Sequence, residues 1–209
     1  MQDDDESLPL AGSSTMPSET SARLTTTGLG LVLTLPALLL AAHIGQPWRW
    51  FSLHPLLMLL AFVAAAGTGI LTKIKGGRVN TLTHGYLMCS AFVLSLGGWY
   101  VIHEQKNMLG KPHLTSWHAW AGVAAMLGYA FGAAGGAVVL HPDFGMAKKS
   151  QTFRSVHKLG MRAATLVAFA AIGSGWAKLA GTATTLGTAA LLAALAWRAR
   201  LLGKWPGAA

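Results

Sequence analysis

Four of the eight histidines recur at equivalent places in the chain. His54, His84, His118 and His157 each stand within the first turn or so of a long apolar segment, in the stretches FSLHPLLM, THGYLM, TSWHAW and SVHKLGM. An imidazole held inside a bilayer is costly unless something uses it. Its uses there are proton relay, hydrogen bonding and metal ligation. A single interfacial histidine reads as a polar anchor, whereas four at matching depth point to one shared task.

The elements that position them are membrane helices. Only 11% of the 209 residues are charged and 53% are hydrophobic, against roughly 25% charged in a soluble domain. A spanning helix needs about 20 mainly apolar residues, and six segments qualify: 27–45, 54–72, 84–103, 117–140, 156–177 and 182–201. The expected fold is therefore an all-α integral membrane protein with six transmembrane helices. Because successive spans alternate in direction, His54 and His118 fall at one end of helices 2 and 4. His84 and His157 fall at the opposite end of helices 3 and 5. The polarity thus yields two histidine pairs, one near each membrane face.

The residues below each histidine sharpen this. Positions i, i+4, i+7, i+11, i+14 and i+18 form one helical stripe, within roughly 40° of one another. At i+4 stand Met58, Met88, Gly122 and Met161, and at i+7 all four helices carry alanine: Ala61, Ala91, Ala125 and Ala164. At i+14 come Thr68, Gly98, Gly132 and Ala171. Small stripes also serve close helix packing, and Gly128, Gly132 and Gly136 fit that reading. Packing does not account for a histidine at the head of each stripe, whereas a flat macrocycle needs both a ligand and space opposite it. That space is expected beside Thr68, Gly69, Gly132 and Gly136 for one group, and beside Gly98 and Gly175 for the other.

Two neutral imidazoles from facing helices suit a six-coordinate haem iron, a site commonly built inside a four-helix core. Helices 2–5 are expected to form that core around two non-covalent b haems, because the chain has a single cysteine, Cys89, and no CxxCH attachment motif. Structural zinc ordinarily recruits Cys or carboxylate, and neither is near. The alternative is a six-helix transporter or proton relay without haem. It predicts acidic residues near mid-bilayer or broken helices, and the middles of helices 2–5 contain no Asp or Glu.

Charge sets the orientation. The first 25 residues hold five of the seven acidic residues and read as a disordered tail, leaving 26–205 as the membrane domain. On the side shared by the termini stand Arg23, Lys73, Lys75, Arg78, Lys148, Lys149, Arg154, Arg198, Arg200 and Lys204. The other side has Arg49, Lys106, Lys111 and Lys178. The positive-inside rule then makes both termini cytoplasmic. Trp48, Trp50, Trp99, Trp117, Trp120 and Trp176 cluster towards the other side as an interfacial belt, while Trp197 and Trp205 mark the cytoplasmic end. The net charge of +9 forms no continuous stripe, so nucleic acid is not an expected partner. His43, His103 and His141 read as interfacial residues. His113, five residues before His118, stands where it can line an outer substrate site.

FSLHPLLM, THGYLM, TSWHAWAGVAAMLGY and SVHKLGM resemble the cytochrome b561 family, over about residues 28–205. KPHLTSWHAW is most similar to the short b561-domain reductases of animals and their relatives. The resemblance implies six helices and two b haems, with ligand pairs His54/His118 (outer) and His84/His157 (inner), in agreement with the polarity. It implies ascorbate as cytoplasmic donor and monodehydroascorbate or ferric iron as outer acceptor. A homodimer is the candidate assembly. It also implies donor binding by basic residues near the inner haem, for which the candidates are Lys73, Lys75, Arg78, Lys148, Lys149 and Arg154. At the position two before His84, where ascorbate-using members often carry a basic residue, this chain has Leu82.

Overall fold

The computed structural model describes residues 28, 30, 33–35, 37–39, 41–43, 48–179, 182–199 and 201. The acidic tail, Arg23, Arg200, Lys204 and Trp205 lie outside the described residues. Among the described residues every regular element is helical. The elements are α1 (Leu33–His43), α2 (Trp50–Ile74), α3 (Arg78–Met108), α4 (Trp117–Val139), α5 (Gln151–Leu179) and α6 (Thr182–Arg198). Four of them, α2 to α5, are long and apolar enough to cross a membrane, and α1 and α6 are shorter apolar helices.

Several helices outrun their apolar runs. α3 starts at Arg78 rather than at His84 and continues past residue 103 to Met108. Hydropathy marks only the bilayer-buried part, and a helix that already satisfies its own backbone continues into water until a breaker stops it. At the start of α3 the breaker is the pair Gly76 and Gly77, whose φ angles of 75° and 84° lie in the left-handed region open to glycine. That turn connects α2 to α3 in three residues. α4 begins at Trp117, where the sequence places it, because the Ser116 hydroxyl accepts the Ala119 backbone N–H at 3.3 Å as an N-cap.

α2 is the most enclosed helix. Leu59, Ala61, Phe62, Val63 and Ala66 are buried in a core shared with α1 (Leu33, Ala37, Ala41) and α6 (Leu192, Leu195, Ala196). A Cβ added at Gly67 would meet Leu33 at 3.0 Å and Leu195 at 3.1 Å, so α1 and α6 both approach α2 at this glycine. α2 packs along α3, α3 along α4, and α4 along α5, and α5 returns to touch the middle of α2. The outward faces carry Val93, Leu96, Leu127, Phe131 and Trp197 exposed, as expected of surfaces facing lipid.

α2 is not a uniform α-helix. It opens on a 3₁₀ turn, Trp50–Ser52, and contains a π-helical stretch at Leu60–Ala65. Pro55 sits in its first turns, where the missing N–H has no required partner. α4 ends in a second π-helical stretch, Gly135–Val139.

Candidate functional site

His54 and His118 come together, as their positions on parallel spans require. Their ring centres are 6.1 Å apart and their planes stand at 81°. The Nδ1–H of His54 donates to the Gly98 carbonyl of α3 at 2.8 Å, and the Nδ1–H of His118 donates to the Ala171 carbonyl of α5 at 2.8 Å. A carbonyl oxygen only accepts, so Nδ1 carries the proton in both rings and Nε2 keeps a free lone pair. This is the usual arrangement of a metal-ligating histidine, whose second nitrogen is tied to a backbone carbonyl. Two imidazoles on opposite sides of one metal, each with a nitrogen about 2 Å away, place their ring centres roughly 6 Å apart. The pair therefore fits an iron held between axial imidazoles.

At the other end, the Nδ1–H of His84 donates to the Gly69 carbonyl of α2 at 3.1 Å. His157 is an electrostatic neighbour of His84, and Lys73 acts on both. The two ends of the α2/α3 hairpin thus repeat one device: each histidine ring is oriented by a glycine carbonyl of the opposing helix. The spacing differs by one residue, His54 to Gly69 being fifteen and His84 to Gly98 fourteen. The π-helical stretch Leu60–Ala65 lies between His54 and Gly69 and absorbs the extra residue, as π-bulges do.

That insertion corrects the expectation at Thr68. A regular helix would put Thr68 below His54 on the stripe, but it is Gly69 that faces His84. Thr68 is turned away from His84, its Cγ2 standing 3.9 Å from the Cβ position of Gly30, which precedes α1.

The glycines are held open by close neighbours. A Cβ on Gly69 would meet Met88 at 3.0 Å and Leu87 at 3.1 Å, and one on Gly98 would meet Met58 at 3.0 Å and Leu57 at 3.3 Å. On the second hairpin, a Cβ at Gly132 would overlap Met161 Sδ, and one at Gly175 would meet the His118 ring at 2.7 Å. Gly136 faces His157 at 3.6 Å. The i+4 methionines therefore fill the space left by the glycines of the opposing helix, which is why both residue types recur in the stripes.

Two buried polar atoms have no hydrogen-bond partner among the described residues, Thr68 Oγ1 and Trp176 Nε1. Trp176 follows Gly175, the residue against the His118 ring, in the sequence of α5. A buried donor of this kind calls for a polar partner, and the polar edge of a bound cofactor is one. No set of three or more His, Cys, Asp or Glu converges among the described residues. At the His54/His118 end the donor set is a pair of imidazoles.

The basic candidates divide. Lys73 donates to Thr81 Oγ1 at 2.6 Å and has Arg154 as an electrostatic neighbour, so both lie by the His84/His157 end. Arg154 Nε donates to the Lys148 carbonyl at 3.0 Å. Arg78 pairs in two contacts, 2.8 and 2.7 Å, with Asp143 of the α4–α5 loop. Lys75 and Lys149 are exposed. Burial and then Arg198 at the end of α6 hold the Lys75 ammonium below its ordinary value.

Sequence reasoning missed the partner of Arg78, though a signal was there. Asp143 and Glu104 are the only acidic residues after Glu19. Glu104 sits in a cluster at the far end of α3. The rings of His103 and His113 stack 4.4 Å apart, His113 Nε2–H donates to Asn107 Oδ1 at 2.9 Å, and Asn107 Nδ2–H donates to Glu104 at 3.2 Å. His113 thus belongs to an exposed side-chain cluster of its own.

Membrane helices that bring two histidines together, each with its Nδ1 anchored on a backbone carbonyl, define a class: membrane proteins with a pair of imidazoles inside a helical core. The family described as eukaryotic cytochrome b561 matches residues 53–182, more than half of the chain, and the protein belongs to that family, whose cofactor is haem b. It is 33% identical over 102 residues to bovine Transmembrane reductase CYB561D2, covering 44% of this chain and 45% of that one. The mouse Transmembrane reductase CYB561D2 is 29% identical over 153 residues, 69% of each chain. Ascorbate-specific transmembrane electron transporter 2 of Zea mays is 30% identical over 83 residues, 38% of this chain and 35% of that one. The aligned stretch is less than half the length of the bovine and maize relatives. The protein is an integral membrane protein.

Proposed function

We propose that this protein is a transmembrane oxidoreductase that passes single electrons across the bilayer through two non-covalent b haems, held by His54/His118 and by His84/His157. Cytoplasmic ascorbate is the donor, and monodehydroascorbate or a ferric chelate on the other side is the acceptor. The observation that carries the reading is the His54–His118 pair, 6.1 Å between ring centres, with both Nδ1 protons committed to backbone carbonyls. When bound, the haems would be held by these histidines and would supply reversible one-electron chemistry.

The chain's own residues do the rest. The Gly98, Gly69 and Ala171 carbonyls fix three of the four rings and their tautomers. The i+4 methionines pack into the space left by the opposing glycines and hold the helices close around the rings. The basic groups at the His84/His157 end, Lys73 and Arg154 foremost, attract an anionic donor and stabilise it once bound. The donor reading also draws on the likeness to the ascorbate-specific electron transporter of maize, and it stands with Leu82 where a further basic residue is often found. His113 and its cluster face the acceptor side, and both termini are cytoplasmic.

A proton relay without haem is disfavoured. Such a relay calls for acidic residues near mid-bilayer, and the middles of α2 to α5 contain no Asp or Glu.

Proteoliposomes test the reading. With ascorbate trapped on the side of Lys73 and Arg154 and a ferric chelate on the other, the reading expects chelate reduction that requires haem-loaded protein. Reduction at the rate of empty vesicles would overturn it.

A further inference from the structure

Asp143 is one of two acidic residues outside the tail, in a chain of net charge +9. It is placed on Arg78, 65 positions away, by two hydrogen bonds of 2.8 and 2.7 Å. The contact joins the start of α3 to the α4–α5 loop. The loop is tied further: Lys148 Nζ donates to the Asp143 carbonyl, and the Arg154 guanidinium donates to the Lys148 carbonyl. Lys73 and Arg154 bond to hydroxyl or carbonyl oxygens, which leave their charges unbalanced, while Lys148 and His141 lie near the Asp143 carboxylate without a hydrogen bond to it. Arg78 differs from Lys73 and Arg154 in pairing with a carboxylate. Both partners remain solvent-accessible, at 62% and 43% side-chain exposure, so the bridge can exchange with a soluble anion.

We infer that Asp143 is a built-in counter-anion of the donor site, holding Arg78 and the α4–α5 loop across the mouth of the His84/His157 end until an anionic donor displaces it. This rests on the donor reading above. In the resting protein the carboxylate of Asp143 occupies the guanidinium fork of Arg78, the geometry a donor's enolate or carboxylate oxygens would take. Asp143 is thus a specificity-setting residue: it lowers affinity for weakly held anions and keeps the basic cluster closed.

The test uses the full-length, haem-loaded protein and measures KM for ascorbate. Asp143→Asn removes the carboxylate from the Arg78 guanidinium, and its KM should fall about two- to fivefold, the range expected from one exposed ion pair. Its KM should also rise more steeply with added salt than that of the unaltered protein, because the donor side then carries one more unit of net positive charge. Arg78→Gln in the Asp143→Asn background should return KM to or above the starting value. Equal haem content and full reduction by dithionite show that each variant is folded. An unchanged or raised KM in Asp143→Asn, or a gain that survives Arg78→Gln, overturns the inference while leaving the donor reading in place. If ascorbate fails to reduce the unaltered protein, the donor reading fails and the inference falls with it.

Discussion

His54 of α2 donates its Nδ1 proton to the Gly98 carbonyl of α3 at 2.8 Å, and fourteen residues before Gly98 stands His84, which donates in turn to Gly69 of α2 at 3.1 Å. Two antiparallel helices thus orient each other's histidines, one at each end. At both receiving positions the helices approach so closely that an added Cβ would meet the opposing helix at 3.0 Å, Met88 at Gly69 and Met58 at Gly98.

The glycines should therefore be intolerant in a pattern set by their neighbours. In Gly175→Ala the new methyl meets the His118 ring at 2.7 Å, and overpacking of this order costs about 1–3 kcal/mol. We expect loss of the His54/His118 haem or a lowered melting temperature. Gly173→Ala, with nothing within 4 Å, should match the unaltered protein. Haem content per protein and thermal melts followed at the Soret band compare the two.

The donor side can be probed by charge removal. Lys73→Gln and Arg154→Gln each remove an unbalanced positive charge near the His84/His157 end. Each should raise KM for ascorbate by about two- to tenfold at low salt, with the difference narrowing as salt screens the charges. Dithionite reduction should be unaffected. Stopped-flow reduction at several ascorbate and salt concentrations gives both numbers.

Asp143 carries a pH signature. The Arg78 guanidinium, by hydrogen bond and then by charge, holds its carboxyl below the ordinary value of 3.8. A carboxyl depressed by its partner gives stabilisation that is present above the unfolded value and lost as pH falls through the folded one. The bridge should therefore be intact throughout the neutral range and open only below 3.8. Infrared titration of the Asp143 carboxylate band should find its midpoint below 3.8 in the unaltered protein and higher in Arg78→Gln.

Inside the core, the Tyr129 hydroxyl is 3.1 Å from Thr165 Oγ1, and Thr165 donates to the Met161 carbonyl at 2.7 Å. Tyr129 is therefore the donor. Tyr129→Phe removes that bond but leaves Thr165 satisfied, so the loss should be about 1 kcal/mol, read as a small drop in melting temperature with haem content intact.

Much of this was legible in the sequence. Helix polarity alone puts His54 with His118, and the i+4 methionines and i+14 glycines declare which faces meet. Register was not legible at Thr68, because a π-helical stretch leaves no composition signal in LAFVAA and shifts the stripe by one residue, onto Gly69. The length of α3 was hidden because hydropathy ends where the bilayer does. The partner of Arg78 was hidden too: Asp143 is distant in sequence, and only the turn after α4 brings it to the start of α3. The stacking of His103 on His113 likewise depends on how the chain turns back between α3 and α4.

The central claim is two haems on two histidine pairs. Reduced-minus-oxidised visible spectra, with extracted haem quantified against protein, test it most directly in single alanine variants of His54, His84, His118 and His157. The account predicts two b haems in the unaltered protein, loss of the same one in His54→Ala and His118→Ala, and loss of the other in His84→Ala and His157→Ala. A haem-free protein from haem-sufficient cells, or variants at His54 and His118 that lose different haems, would contradict it.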